Sequence, residues 1–453
     1  MNTFLLTLGA IFVLVLTALF AVPHFVDWST YRADIQEAVS KTLDRPVRVG
    51  SEITVRFLPA PYISVDNVRI ADANGRFARP ILRAQALTAS LSVGQLIQGR
   101  LEASSVKLVQ PLVTLSVDRD GRASWSGLGA RGNTGPFEAN EIALQSVEIE
   151  RGEVLLVTSG DDELNRFENV TGTFSAGSLL GPYRFRGSVG RDARATDVRV
   201  TTAKLGTDGR LTLQATLRPA AGAPNWGTTV VDGDIITAGD AWKFEGGLTA
   251  TVNPGLGRDG AGRAAASGAD GSSSKTSGTG PIEIKSTLEA DTQSLSLAAL
   301  ALTFEVNGRP QLIRGQALTD WREALTFDAD FSARWLDLDG MSGVETPGVA
   351  LSVLAQDLNN FVPQIEGAKV AFKLQQATAL GGTIEDVALN AVRRSGAVVI
   401  EELTAQVPGE GQVQLAGRLS GARDTLPQFR GVVTGRGVNL ARTLAWLSPE
   451  TVG

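Results

Sequence analysis

The sequence predicts a mainly β protein, in which one N-terminal transmembrane helix and a short amphipathic helix precede a long antiparallel sheet, with few other helices. Residues 4–22 carry no charged side chain, and residues 29–44 repeat their apolar side chains at helical spacing. From Val47 onward, apolar and polar residues alternate in short runs, which turn-forming residues separate at intervals of about 8 to 15 residues. Alternation with a period of two predicts strands with one apolar face.

The apolar run from Phe4 to Val22 predicts a membrane anchor over residues 1–24. As a helix the run would be about 28 Å long, which is close to the hydrocarbon thickness of a bilayer. A cleaved signal peptide is the alternative, but no Lys or Arg precedes the run and no pair of small residues marks a cleavage site at its exit. The charges at the chain start do not determine which side of the membrane the rest of the chain occupies.

Residues 25–45 predict an amphipathic helix that follows the anchor. Asp27, Ser29 or Thr30 can cap its start, and Pro46 prevents its continuation. The residues of its apolar face are Tyr31, Ile35, Ala38, Val39 and Leu43.

Residues 46–253 and 282–453 predict the two parts of the sheet. Residues 254–281, which are rich in Gly and Ser, predict a flexible linker or a disordered loop between them. Val353–Val362 and Leu440–Leu447 have helical spacing, and we expect the second of these to form a capping helix at the end of the sheet.

Two further features concern the strands themselves. Similar sequences at Ser105–Leu115 and Ser146–Leu156 indicate a sheet that grows by the addition of similar strands. The alternation skips one residue near Asp66 and Asn67, which predicts a bulge or a turn there.

The composition excludes several classes of function. No cysteine is present among the 453 residues, so disulfides, thiolate chemistry and cysteine metal sites are excluded. The single histidine, His24, lies at the expected membrane exit, where an interfacial position explains it. A net charge of −6 and the lack of a Lys/Arg cluster argue against nucleic acid as a partner.

Sequences that imitate catalytic or binding motifs lie in unsuitable contexts. Ser104–Lys107 and Ser272–Lys275 have Ser-x-x-Lys spacing, but the first lies in a strand sequence and the second in the linker. Residues 260–265 imitate a dinucleotide-binding loop without the strand and helix that it requires. The acidic residues within 118–121 and 161–163 predict a hairpin turn and a solvated loop. We therefore expect no enzyme activity, no metal site and no cofactor.

Several motifs in the first part of the chain are characteristic of one family. Phe25-Val26-Asp27-Trp28 follows the apolar run, Arg45-Pro46-Val47-Arg48-Val49-Gly50 follows the amphipathic helix, and Leu58–Ile63 ends the first hairpin region. With these motifs, the sequence up to about Trp125 resembles the AsmA family of Gram-negative envelope proteins. The similarity is looser over Leu164–Val252 and returns over Gln364–Trp446.

The resemblance implies a single-pass inner-membrane protein with its bulk in the periplasm, whose sheet curls into an open groove with an apolar inner face. It implies a role in cell-envelope biogenesis by transport of phospholipid between the inner and outer membranes, with phospholipid and the inner membrane as partners. An apolar groove suits that role, because exposing each methylene of an acyl chain to water costs about 0.8 kcal/mol. The alternative is an assembly scaffold for outer-membrane proteins, which would present an exposed strand edge to outer-membrane assembly proteins. A polysaccharide-binding protein would need clustered aromatic residues, and these make up only 6% of the chain.

One alternate set of strand residues provides the candidates for the inner face of the groove. Its members are Val55, Phe57, Ile63, Val65, Val106, Leu108, Val113, Leu115 and Val117. The alternative is that the same residues form the core of a closed sandwich or barrel. The small number of helices available to cover so many strands favours the open face.

Overall fold

The computed structural model of the protein describes residues 26–58, 60–92, 103–116, 144–157, 163–177, 181–191, 195–206, 208–221, 225–238, 241–253, 280–342, 355–421 and 427–437, together with residues 124, 223, 439, 442, 443 and 446. The predicted anchor over residues 4–22 and most of the predicted linker, residues 254–279, lie outside this set. Within the set, no helix has the length and apolar character needed to cross a membrane.

The predicted amphipathic helix is present as a 3-10 turn over Trp28–Tyr31 that continues into helix α1 over Arg32–Leu43. Asp27 caps the turn, because its side chain accepts a hydrogen bond from the Ser29 N–H at 3.0 Å. The helix ends at Asp44, which adopts a left-handed conformation with φ 50° ahead of Pro46.

The expected apolar face of α1 does not pack as one surface. Leu43 packs against the sheet, whereas Tyr31 and Val39 are exposed. Polar side chains make the contacts on the packed side, since Ser40 Oγ accepts from the Val47 N–H at 2.9 Å and Gln36 Oε1 from the Val49 N–H at 3.1 Å. These two bonds attach α1 to the first strand.

Most of the described residues form a mixed sheet of 22 strands, which confirms the mainly β class with few helices. The strands are β1 (Val47–Arg48), β2 (Ile53–Arg56), β3 (Tyr62–Ile70), β4 (Leu82–Leu91), β5 (Ala103–Val109), β6 (Leu112–Ser116), β7 (Leu144–Val157), β8 (Glu163–Ala176), β9 (Tyr183–Val189), β10 (Thr196–Thr202), β11 (Arg210–Pro219), β12 (Gly227–Ala238), β13 (Ala241–Val252), β14 (Ile282–Asp291), β15 (Ser294–Val306), β16 (Arg309–Asp320), β17 (Thr326–Asp337), β18 (Lys369–Ala379), β19 (Gly382–Arg394), β20 (Ala397–Val407), β21 (Gly411–Ser420) and β22 (Gln428–Gly437).

The chain divides into two compact units. Unit 1 comprises Met1–Ala223 and Asp234–Trp242, and unit 2 comprises Pro224–Gly233 and Lys243–Gly453.

In unit 1, the antiparallel order is interrupted at one place. β5 and β6 form one line, because both pair with β4 in a single register and both pair with β7. Their pairing with β7 is parallel, so the chain between Ser116 and Leu144 is a crossover and not a hairpin. The expectation of a purely antiparallel sheet is therefore wrong at this junction.

The same exception occurs once in unit 2. The strands from β13 to β22 pair in chain order and antiparallel, except that β17 and β18 are parallel. The crossover between them contains helix α2 (Leu338–Ser342) and helical residues 355–361, which lie within a segment predicted to be helical. A parallel neighbour needs a connection of a dozen or more residues, and the crossover supplies it.

The internal sequence repeat lies at the parallel junction of unit 1. Val106 is opposite Val147, and Leu115 is opposite Leu156, so the two copies of the repeat are neighbours in register. Equivalent apolar residues therefore meet side by side, which confirms that similar strands are added to one another.

Four non-glycine residues with a left-handed backbone line up across unit 1, and we call them the crease. They are Asn67 in β3 (φ 47°), Gln110 between β5 and β6 (φ 47°), Arg151 in β7 (φ 51°) and Asn169 in β8 (φ 53°). The predicted irregularity near Asn67 is thus present, without a change of register towards β4. Val65 and Val68 lie on either side of Asn67 and still pack in one buried cluster. A regular strand would place two residues at this odd spacing on opposite faces.

In unit 2, helical residues pack against the apolar side of the sheet at two places. At one end α2 contributes Leu338 and Met341 to a cluster that also includes Trp446. At the other end the helical residues 355–361 contribute Leu358 to a second cluster, around Val370 and Val398. Trp446 belongs to the predicted capping helix, of which the structure describes residues 442, 443 and 446, all helical. Its indole N–H donates to the Ala379 carbonyl at 2.9 Å.

Two polar side chains attach the crossover of unit 2 to the sheet. The Asp339 carboxylate accepts from the N–H groups of Leu380 and Gly381, at 2.6 Å and 2.9 Å. The guanidinium of Arg393 is 3% exposed and donates to the carbonyls of Asn359, Val362 and Pro363, at 2.8, 2.5 and 3.2 Å. The carbonyls of a helix C-terminus carry partial negative charge, so they compensate this buried cation.

We expect Arg393→Met to lower the free energy of unfolding by about 3 kcal/mol, because the change leaves several buried carbonyl acceptors without a donor. Arg394→Met is the matched control, since Arg394 is exposed and its guanidinium pairs with Glu401 at 2.7 Å. Loss of that surface pair should cost less than about 1 kcal/mol. Urea unfolding of the two variants measures the difference, and equal shifts would contradict the assigned role of Arg393.

The crease predicts opposite responses to glycine and valine at two arginines. At Arg151, glycine should stabilise by up to about 1 kcal/mol and valine should destabilise by about 1–2 kcal/mol, because φ is positive there. Arg186 lies in regular strand β9, so the order should reverse, with valine tolerated and glycine destabilising by about 0.5–1 kcal/mol. Thermal unfolding of the four variants tests the prediction, which fails if both sites rank the substitutions alike.

Candidate functional site

Two rows of apolar residues cross unit 1 from β2 to β11 on the same face of the sheet. Directly opposite residues on neighbouring strands share a face, so the rows follow from the register. Row one contains Val55, Ile63, Ala89, Val106, Val147, Phe174, Phe185, Val200 and Ala215. Row two contains Ile53, Val65, Leu87, Leu108, Ile149, Gly172, Gly187, Val198 and Leu217. We call this surface the apolar face.

The opposite side of the same strands carries polar residues. Its central row contains Thr54, Ser64, Thr88, Lys107, Glu148, Thr173, Arg186, Arg199 and Thr216. The hydroxyls of Ser64 and Thr88 are 3.0 Å apart, and Lys107 Nζ lies 2.6 Å from Glu150. Unit 1 is therefore amphipathic across all these strands, with one face suited to water and the other to apolar ligands.

Burial of the apolar face changes along the rows. From β2 to β5 it is covered, because Val65 is buried and Ile63, Leu87 and Leu108 pack in the cluster to which α1 contributes Leu43. From β9 to β11 the apolar residues are only half-buried, and no residue of these three strands is fully buried. The described part of the chain thus covers one end of the apolar face and leaves the other end accessible.

The structure brings five of the nine predicted residues together in the two rows. Val55, Ile63 and Val106 lie in row one, and Val65 and Leu108 lie in row two.

The other four predicted residues are placed differently. Val113 and Leu115 lie beyond the crease, opposite Val154 and Leu156. Phe57 follows the end of β2 and packs edge-on against Trp28, with 6.4 Å between ring centroids. Val117 lies outside the described residues.

The candidate set did not include the accessible end of the rows. Phe185, Val198, Val200 and Leu217 alternate with polar residues and could have been proposed as an apolar set. Their position on the same face as Val106 was not predictable, because it depends on the register of every intervening pair.

A second missed feature is a Phe-x-Gly motif. Gly187 lies opposite Gly172, and a Cβ added to Gly187 would lie 2.8 Å from the Phe185 ring and 2.2 Å from the Thr171 carbonyl. The ring therefore lies over the paired glycines, an arrangement that protects exposed backbone in a sheet. Equivalent rings cover Gly246 and Gly431, each from two residues earlier in the chain. The spacing was visible in the sequence as a recurring Phe-x-Gly.

Electrostatics also distinguish the two faces. The hydrogen bond to Glu150 raises the pKa of Lys107, so this residue of the Ser-x-x-Lys sequence remains a cation and is unsuited to act as a base. On the apolar face, burial raises the pKa of the Tyr183 phenol, which stacks on Phe174 at 6.1 Å. A neutral phenol is compatible with an apolar surface.

Comparison with known proteins identifies the first part of the chain. The model of the AsmA family matches residues 1–154, about a third of the sequence. No curated protein and no solved structure matches the chain. The matched range includes α1, β1–β6 and all the predicted site residues that the structure describes. Over residues 1–154 the chain is therefore identified with the AsmA family, and the resemblance predicted from its sequence is confirmed.

Proposed function

We propose that this chain is a cell-envelope protein that carries phospholipid between the inner and outer membranes, with acyl chains lying along the apolar face of unit 1. In this proposal residues 1–24 anchor the chain in the inner membrane, the bulk lies in the periplasm, and the apolar face is the inner surface of a groove. The role is non-enzymatic and needs no cofactor. The observation that carries the proposal is the pair of apolar rows, which cross nine neighbouring strands from β2 to β11, with β5 taking the place in the sheet that it shares with β6.

The dimensions of the rows support this role. With about 4.8 Å between neighbouring strands, they extend for roughly 38 Å along the hydrogen-bonding direction. One leaflet of a bilayer is about 15 Å of hydrocarbon, so an acyl chain would fit within the rows at any position along them. Each acyl methylene withdrawn from water contributes about 0.8 kcal/mol to binding. On a continuous apolar surface this contribution stays the same as the lipid moves from one position to the next.

The best test positions lie in β10. A charge at Leu108 would disturb a packed cluster, whereas Val200 is half-buried and lies in row one. Thr201 is its matched control, because it follows Val200 in the same strand and its side chain points to the opposite face.

We expect Val200→Asp to reduce the phospholipid that co-purifies with the full chain by about tenfold or more, because an unpaired carboxylate on an apolar path costs at least 1.4 kcal/mol. Thr201→Asp adds the same charge and should leave the lipid content near that of the parent. The measurement is solvent extraction followed by mass spectrometry. Equal lipid content in both variants, or no phospholipid in the parent, would contradict the proposal.

A second candidate function, scaffolding of outer-membrane proteins, is favoured by one observation at the end of unit 2. All ten residues of β22 are exposed, including Val432 at 69% and Val433 at 60%. β22 pairs with β21 on one side, and no described strand pairs with its other edge. An exposed edge of this kind can accept an added strand.

The two candidates predict opposite results for one pair of variants. If the chain is a scaffold, the double substitution Val432→Lys and Val433→Lys should weaken crosslinking to unfolded outer-membrane β-barrel proteins, because lysines on an edge strand oppose strand addition. Val200→Asp should then have no effect on that crosslinking. Under the lipid-carrying proposal, the lysine variant keeps its phospholipid and the Val200→Asp variant loses it.

A further inference from the structure

On the polar face of unit 2, one row of directly opposite residues runs across the strands and contains basic side chains but no acidic ones. The register places ten residues in this row: Thr249, Lys285, Ala301, Arg314, Ser332, Lys373, Ala388, Thr404, Gln414 and Thr434. Lys285, Arg314 and Lys373 occupy alternate strands, and small side chains separate them. We call this the basic row.

Asp330 and Asp386 lie in the adjacent rows and make other contacts, and Glu283 lies two residues before Lys285 on the same face. Asp330 accepts a hydrogen bond from Gln316 at 3.5 Å, and Asp386 accepts one from Gln406 at 2.9 Å. Among the described residues, no ion pair involves Lys285, Arg314 or Lys373. In a chain with a net charge of −6, the basic row itself therefore carries three cations and no acid.

The centre of the basic row is a depression of about 690 Å³. Its lining includes the polar residues Arg314, Ser332, Arg334, Lys373 and Asp386 together with apolar residues such as Leu312, Trp335 and Leu374. Ser332 lies between Arg314 and Lys373, and Arg334 is two residues further along the same strand and face. Cross-strand neighbours have Cβ atoms about 5 Å apart. The long side chains of Arg314, Arg334 and Lys373 can therefore reach the space above the Ser332 hydroxyl.

We propose that this depression binds a phosphate group. Arg314 and Arg334 supply planar forks that match phosphate oxygens, Lys373 supplies a point charge, and the Ser332 hydroxyl supplies a further donor. Asp386, at the edge of the depression, opposes the anion and limits its affinity. The phosphate belongs either to a free phosphorylated compound or to the headgroup of an anionic phospholipid. The proposal concerns a different face and a different unit from the apolar rows, and it does not depend on lipid transport.

The test titrates the full chain in detergent, at low ionic strength, with inorganic phosphate and separately with dihexanoyl phosphatidylglycerol. Arg314→Ala, Arg334→Ala and Lys373→Ala should each weaken binding about tenfold, the value of one lost charge-assisted hydrogen bond. Asp386→Asn should strengthen binding, because it removes the opposing charge. Arg394→Ala is the matched control, since it removes one exposed cation outside the depression.

Each outcome decides the proposal. Binding of inorganic phosphate that the three cation variants weaken and Arg394→Ala does not weaken supports it, with a free phosphorylated ligand sufficient. Binding of phosphatidylglycerol alone, with the same response to the variants, supports it with the lipid headgroup as the source. Absence of binding by both probes, or equal weakening by Arg394→Ala, overturns it. Circular dichroism of each variant checks that these exposed substitutions leave the fold intact.

Discussion

Cross-strand register is the constraint on which the amphipathic sheet of unit 1 depends. Side chains alternate with a period of two, so a slip of one residue would exchange the apolar and polar faces of a strand. The crease lies where the apolar residues of several neighbouring strands change phase. Each left-handed non-glycine residue costs about 1–2 kcal/mol, and unit 1 accepts four of them in one line. Because these four residues lie in one line, the adjacent strands change phase at the same place. Apolar residues therefore stay opposite apolar residues on both sides of the crease.

The parallel junction of unit 2 supplies the cover of the sheet in that unit. In unit 2 the crossover after β17 packs on the apolar face, and the buried Arg393 and the Asp339 carboxylate attach it. The partners of the Arg393 guanidinium include the carbonyls of Asn359, Val362, Pro363 and Gly396 and the side-chain oxygen of Asn359. A buried cation tolerates such an environment only when its donors are satisfied, so the crossover and the β19–β20 hairpin must fold together.

Local features of the fold were predictable from the sequence, and long-range placement was not. The helix over residues 32–43, the strands and the irregularity at Asn67 follow from periodicity and from residues such as Pro46. The parallel pairing at Val106 and Val147 left a trace in the internal repeat, but a repeat does not specify the direction of pairing. Arg393 and Arg394 are adjacent and identical in type, and only tertiary packing buries the first. The three cations of the basic row are far apart in the sequence, and only the register of four successive strand pairs brings them into line.

The contrast between the two units bears on where a ligand would lie. In unit 2 the ends of the apolar face are filled by side chains from the same chain, including Trp446, Met341 and Leu358. In unit 1 the cluster that includes Leu43 of α1 reaches β5, and Val147 of β7 is also buried, whereas the apolar residues from β9 to β11 are only half-buried. Apolar side chains that stay half-exposed along several strands lose stabilisation of about 25 cal/mol for each Å² left in water. An acyl chain lying on Phe185, Val198 and Val200 would recover that stabilisation, and it would leave the polar face of the same strands in water.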